Sequence, residues 1–100
     1  MIRHKFNAKR CESDGISFPS KAERLYYEKL KLRQASGEVL FFLRQTPIAL
    51  PGGITYRLDF MEFWADGTVH FIDVKGVRTP AYILKLKLLK ETYPFEIEEK

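Results

Sequence analysis

The hydrophobic pattern changes period along the chain, and each change marks an element. Cys11 to Phe18 surrounds Asp14-Gly15, a turn signal between two short runs, which predicts a small hairpin. A stretch with helical spacing follows and runs to about Ala35, with Ser20 a good N-cap and Ser36-Gly37 a good stop. At about 100° per residue, Ala22, Leu25, Tyr26 and Leu30 share one side of this helix, and Glu23 falls within or beside that apolar face. Glu38 to Gln45, rich in Val, Leu and Phe, predicts a strand ended by Pro47, and Pro51-Gly52-Gly53 predicts a loop. Tyr56 to Lys75 reads as two apolar strands joined at Ala65-Asp66-Gly67. Thr79-Pro80 opens a second helix that reaches about Thr92, with proline at its favoured first position. Tyr93-Pro94 breaks that helix, and Phe95 to Glu98 alternates as a short last strand. The expected order is a hairpin, then helix, three strands, helix, strand, which makes a mixed α/β domain.

The central hairpin carries a conflict. Each of its apolar runs, Arg57 to Met61 and Phe71 to Lys75, has an aspartate in the middle, and core strands rarely hold a carboxylate without a charge against it. Two registers are open. A two-residue turn at Asp66-Gly67 puts Asp59 and Asp73 on opposite faces. A three-residue loop, with Gly67 left-handed and a bulge, pairs Trp64 with Thr68, Met61 with Phe71, Asp59 with Asp73 and Arg57 with Lys75. The other face then holds Glu62 with His70, Phe60 with Ile72, and Leu58 with Val74. This second register groups like with like and is preferred. Its cost is two carboxylates face to face, which a cation must offset: Lys75 and Arg57, or a bound divalent metal.

Composition narrows the class. One hundred residues, 45% of them apolar, predict one domain (1–100) with a modest core. The net charge of +4 and a pI near 9.3 favour an anionic partner, nucleic acid before membrane surface. Cys11, the single cysteine, fits a reducing compartment. Residues 1–10 carry Arg3, Lys5, Lys9 and Arg10 without an acid, and read either as a solvated tail or as a basic arm along phosphates. They lack the apolar centre of a secretory signal, and no run approaches the roughly 20 apolar residues that cross a bilayer. A soluble, cytoplasmic protein is expected.

Glu23 has two readings: a structural capping box with Ser20, or an acid aimed at a site. With Asp59 and Asp73 it would offer only oxygen ligands, which suit Mg²⁺ or Mn²⁺ over zinc. Lys75 projects to the same face as Asp73, one strand step away at roughly 6–7 Å. Acid, acid, lysine and metal are the parts of phosphodiester hydrolysis. His70 opposite Glu62 reads as a structural pair, and no zinc cluster, nucleophilic triad or Gly-rich phosphate loop is present. On the second helix, Ala81, Tyr82, Leu84, Leu86, Leu88 and Leu89 form a wide apolar arc, with Lys87, Lys90 and Glu91 outside it. Lys85 falls inside the arc, and either snorkels to its edge or reaches a phosphate. Lys75, Arg78, Lys85, Lys87 and Lys90 make a basic segment without an acid, expected to border a DNA path. Gln45 is a weaker candidate for positioning water or backbone.

Leu58-Asp59 followed by Asp73-Val74-Lys75, with Glu23 on a preceding helix, resembles the PD-(D/E)XK nuclease superfamily. Ser20 to Glu23, Tyr56 to Phe60 and Ile72 to Gly76 are similar to small phage-encoded members of it. The likeness extends over about Asp14 to Ile97, and Leu58 replaces the name-giving proline. The resemblance implies a restriction-endonuclease-like core of helix, three strands, helix and strand. It implies Asp59 and Asp73 as metal ligands with the Val74 carbonyl as a third, Lys75 as the catalytic lysine, and Glu23 as the helix acid completing the site.

The function expected is therefore a Mg²⁺- or Mn²⁺-dependent deoxyribonuclease, an endonuclease on phage or mobile-element DNA, with Arg57, Arg78, Lys85, Lys87 and Gln45 as DNA contacts. With so little protein, recognition of shape or branches by a homodimer is favoured over long sequence readout, and junction resolution is one version. Two alternatives stand beside it: a non-catalytic nucleic-acid-binding protein whose acids are salt-bridged to Arg57 and Lys75, and a structural interaction module.

Overall fold

The computed structural model of the chain describes residues 11–74 and 78–100. Cys11–Ser13 (β1) and Ile16–Phe18 (β2) form a two-stranded hairpin. Asp14 and Gly15 both take positive φ (53° and 75°), the conformation a two-residue hairpin turn needs to match strand twist. The helix Lys21–Ala35 (α1) follows, then Val39–Leu50 (β3), a 3₁₀ turn at Pro51–Gly53, Ile54–Trp64 (β4), Val69–Asp73 (β5), the helix Pro80–Thr92 (α2) and Ile97–Glu99 (β6). The four longer-range strands pair in the order β3-β4-β5-β6. The first three form an antiparallel meander, and α2 is the crossover that returns β6 parallel to β5. The chain is thus a small mixed α/β domain with two sheets and two helices.

Local chemistry sets the ends of α1. The Ser20 hydroxyl accepts from the Glu23 N–H at 3.1 Å. At the other end Gly37 turns left-handed (φ 87°), the Gly37 N–H bonds the Gln34 carbonyl, and the Glu38 N–H bonds the Arg33 carbonyl, which is a Schellman stop. The buried side of α1 is Glu23, Tyr27 and Leu30, not the predicted stripe through Ala22 and Leu25, both of which are exposed. The hairpin explains the rotation. Asp14 accepts from the Tyr27 hydroxyl at 2.9 Å, and Phe18 packs on the Tyr27 ring at 5.0 Å.

Two further boundaries differ from expectation. β3 does not end before Pro47 but runs through it to Leu50. It is the edge strand of its sheet, where an imino acid costs no ladder bond, and Pro47 stands opposite Arg57. The last strand is shorter than predicted and begins at Ile97, while Phe95 stacks on Phe71 at 3.9 Å.

The central hairpin adopts the three-residue register: Phe63 pairs Val69, Glu62 pairs His70, Met61 pairs Phe71 and Phe60 pairs Ile72. The Trp64 N–H bonds the Thr68 carbonyl at 2.9 Å, and Gly67 has φ 90°. Phe60 and Ile72 are buried with Tyr27 and Leu30 of α1, whereas their neighbours Met61 and Phe71 pack into the cluster of α2. Successive strand residues point to opposite faces, so the two helices cover opposite sides of the sheet. That alternation breaks once. Leu58 and Tyr56 share the parity of Phe60 yet are buried with Leu89 of α2, and Leu58, Asp59 and Phe60 are buried in succession. Asp59 therefore sits on the seam between the two cores.

Candidate functional site

The site is where the β4–β5 ladder stops. Its last backbone pair is Phe60 with Ile72. One step further, the side chains replace the ladder: Asp73 Oδ1 accepts from the Asp59 N–H at 3.2 Å, and Asp59 Oδ2 accepts from the Val74 N–H at 2.8 Å. The two aspartates thus stand opposite each other and buried, each holding the backbone of the other strand.

Asp73 is fully buried. Its Oδ2 accepts from the Tyr56 hydroxyl in a very short hydrogen bond, and the Tyr82 hydroxyl lies at 3.4 Å. Among the described residues these donors and the Asp59 N–H are all neutral. Burial, reinforced by the bond to Asp73, holds the Tyr56 phenol far above the usual tyrosine range. Tyr82 also donates to Glu99 at 2.6 Å, and Glu99 pairs with Arg78 at 3.4 Å. Burial, and next the bond to Glu99, raises the Tyr82 phenol too.

Glu23 reaches this pair through Gln45. The Gln45 amide donates to Glu23 Oε2 at 3.0 Å and lies 3.5 Å from Asp59 Oδ1. Arg44 stands 3.9 Å from the same Glu23 oxygen, its guanidinium lying over the Phe18 ring at 4.5 Å. Gln45 takes φ 52°, a left-handed conformation uncommon for a residue with a side chain, at the level of Asp59 on the seam. Glu23 is therefore both the residue whose N–H meets the cap and a side chain turned toward the site.

The basic residues divide. Arg57 does not reach the carboxylates. It is exposed and donates to the Gln45 carbonyl at 3.4 Å. Lys85 is exposed and donates to the Thr55 carbonyl at 3.3 Å, so it leaves the apolar arc for its edge. Arg57, Lys85 and Thr79 line a cleft of about 280 Å³ together with Tyr56, the donor to Asp73, and Tyr82. Lys87 lies farther along α2, on an adjoining groove that shares Ala81 and Lys85 with this cleft. Lys75, its pairing with Arg57, and the basic stretch of residues 1–10 lie outside the described residues.

Glu62 and His70 are cross-strand neighbours, but their side chains bond elsewhere. Buried Glu62 accepts from Tyr26 at 2.6 Å and Trp64 at 2.9 Å, and His70 pairs with Glu98 at 2.7 Å. Among the described residues no three acids, histidines or cysteines gather closely enough to hold a metal together, so Glu23, Asp59 and Asp73 form a chain and not a cluster. No helix among the described residues is long and apolar enough to cross a membrane.

Sequence reasoning missed Tyr56 and Tyr82 as site residues and Arg44 as a neighbour of Glu23. Tyr56 was readable as a polar-tipped aromatic three residues before Asp59 on a buried strand. No curated protein and no solved structure matches the chain significantly. The model of the family described as Protein of unknown function (DUF1064) matches residues 3–98, nearly the whole chain, and the chain belongs to that family.

Proposed function

We propose that the protein is a Mg²⁺- or Mn²⁺-dependent deoxyribonuclease on a restriction-endonuclease-like core of the PD-(D/E)XK type. The observation that carries this reading is the fully buried Asp73, set opposite buried Asp59, with only neutral donors around it among the described residues. A fully buried carboxylate set opposite a second carboxylate is costly, and a divalent ion held between them would offset that cost. The element order of helix, three antiparallel strands, helix and parallel strand supports the fold assignment.

The donor set fits such an ion. Magnesium binds through one or two carboxylates and keeps several waters, so two aspartates suffice and a third acid is not required. Asp59 and Asp73 would hold it together with the Val74 carbonyl. When bound, the ion supplies Lewis-acid polarisation of a phosphoryl oxygen. Tyr56 orients the Asp73 carboxylate, and Gln45 keeps Glu23 beside Asp59. Lys75 follows directly on Val74, whose N–H Asp59 fixes, and its ammonium is the group proposed to position the attacking water and stabilise the charge on the phosphoryl oxygens. Arg57 and Lys85 on the lip of the cleft are the proposed contacts to flanking phosphates, with Arg78 outside them.

One observation favours a second reading, a nucleic-acid-binding protein without catalysis: each oxygen of Asp73 already has a hydrogen-bond donor. The two readings separate on supercoiled plasmid with Mn²⁺ or Mg²⁺. The nuclease reading expects nicking by the wild type that is lost in Asp73→Asn and Lys75→Ala. Equal cutting by all three proteins would show a contaminant and remove its support. Tight binding of plasmid and branched DNA with no cutting would establish the second reading.

A further inference from the structure

Beside the cleft, α2 carries a second groove of which the nuclease reading uses only Lys85. The arc of apolar residues on this helix is wider than the sheet can cover. Leu89 is buried and Leu86 and Leu88 are partly so, but Leu84 remains 68% exposed, and Ala81 is exposed beside it. With Ile54 from the start of β4 these residues wall an apolar groove of about 860 Å³. Its charged residues are Lys85, Lys87 and Glu91, the last two four residues apart on α2. Among the described residues neither makes an ion pair. Lys85, the other cation at the groove, turns to the Thr55 carbonyl.

We propose that this groove is the contact between two copies of the chain, with α2 packed antiparallel on α2 about a twofold axis passing near Leu88. A twofold axis reverses the direction of the second helix, so Lys87 of each copy meets Glu91 of the other. One patch thereby satisfies both signs, which is what an isologous interface requires. Leu84 and Leu88 of both copies close the centre and remove exposed leucine from water. The same features argue against nucleic acid here, since a phosphate backbone gains nothing from leucines and is repelled by Glu91.

Sedimentation velocity of the full chain from about 1 μM to about 100 μM tests this. A concentration-dependent dimer is expected. Leu84→Glu abolishes it while far-UV circular dichroism stays native, because the replaced side chain is largely solvated. Lys87→Glu and Glu91→Lys each weaken the dimer by about tenfold or more through like charges across the axis, and the combined swap restores it. The two charge variants keep the test decisive should Leu84→Glu fail to fold. A monomer throughout the range overturns the proposal, as does a dimer indifferent to Leu84→Glu or a double swap no better than the single changes. Sedimentation reads the contact and plasmid nicking reads the nuclease, so failure of one is distinguishable from failure of the other.

Discussion

Asp73 takes its donors from an amide N–H and the Tyr56 phenol, and this choice has consequences for single substitutions. Tyr56→Phe keeps the ring and its contact with Leu89 but deletes the donor, leaving one oxygen of a fully buried carboxylate short of a partner. A loss of about 1–3 kcal/mol in unfolding free energy is expected, read from the urea midpoint without added metal. An unchanged midpoint would mean that the phenol contributes nothing to Asp73. At this scale the sequence marked two acids inside apolar strands, which are buried, but not what they touch. Asp59 and Asp73 stood out because charge interrupts an apolar run. Their partners come from Tyr56, Gln45 and Tyr82, and no spacing rule links Gln45 to Glu23 across 22 positions. Pairing Arg57 with the acids failed for a similar reason, since its exposed guanidinium found a nearer carbonyl acceptor.

Among the elements, the β4–β5 hairpin decides the site. Ala65-Asp66-Gly67 was readable because turn chemistry is local: Gly67 takes φ 90°, and Asp66 accepts from both the N–H and the hydroxyl of Thr68 at 2.9 and 2.6 Å. Gly67→Ala meets no atom within 4 Å, so its cost is backbone strain alone. A destabilisation of about 1–2 kcal/mol is expected, with the register and the proposed plasmid nicking retained. A larger loss accompanied by loss of activity would show that the bulged turn alone holds Asp59 opposite Asp73. The reach of β3 and the buried side of α1 were less legible. Pro47 ends a central strand but not an edge strand, and only the strand order reveals which β3 is. The face of α1 was set by the β1–β2 hairpin docking on Tyr27, a tertiary contact that outweighs the helix's own stripe.

Across the described residues, four tyrosine phenols donate to carboxylates. Tyr27 donates to Asp14, Tyr26 to Glu62, Tyr56 to Asp73 and Tyr82 to Glu99. This leaves arginines and lysines at the surface, in keeping with a chain of net charge +4 that carries exposed Arg57, Lys85 and Lys87 along one side. It also sets the alkaline limit of the fold. Burial comes first and the neighbouring carboxylate second in raising Tyr26 and Tyr56, and the same two causes raise Tyr82 and Tyr27. A group whose pKa is higher folded than unfolded binds its proton more tightly in the native state. Its contribution is complete below the unfolded value of about 10 and is lost as pH rises beyond it. The opposing effect is relief of net positive charge as pH approaches 9.3, but an excess of only +4 makes that repulsion weak. Urea denaturation between about pH 8 and pH 11 is therefore expected to give a plateau and then a steep fall above about pH 10. Phenolate absorbance should rise together with unfolding, not before it. Early titration of these tyrosines in a still-folded protein would mean that the phenol–carboxylate pairs are open to solvent and that Tyr26 and Tyr56 do not hold the buried Glu62 and Asp73.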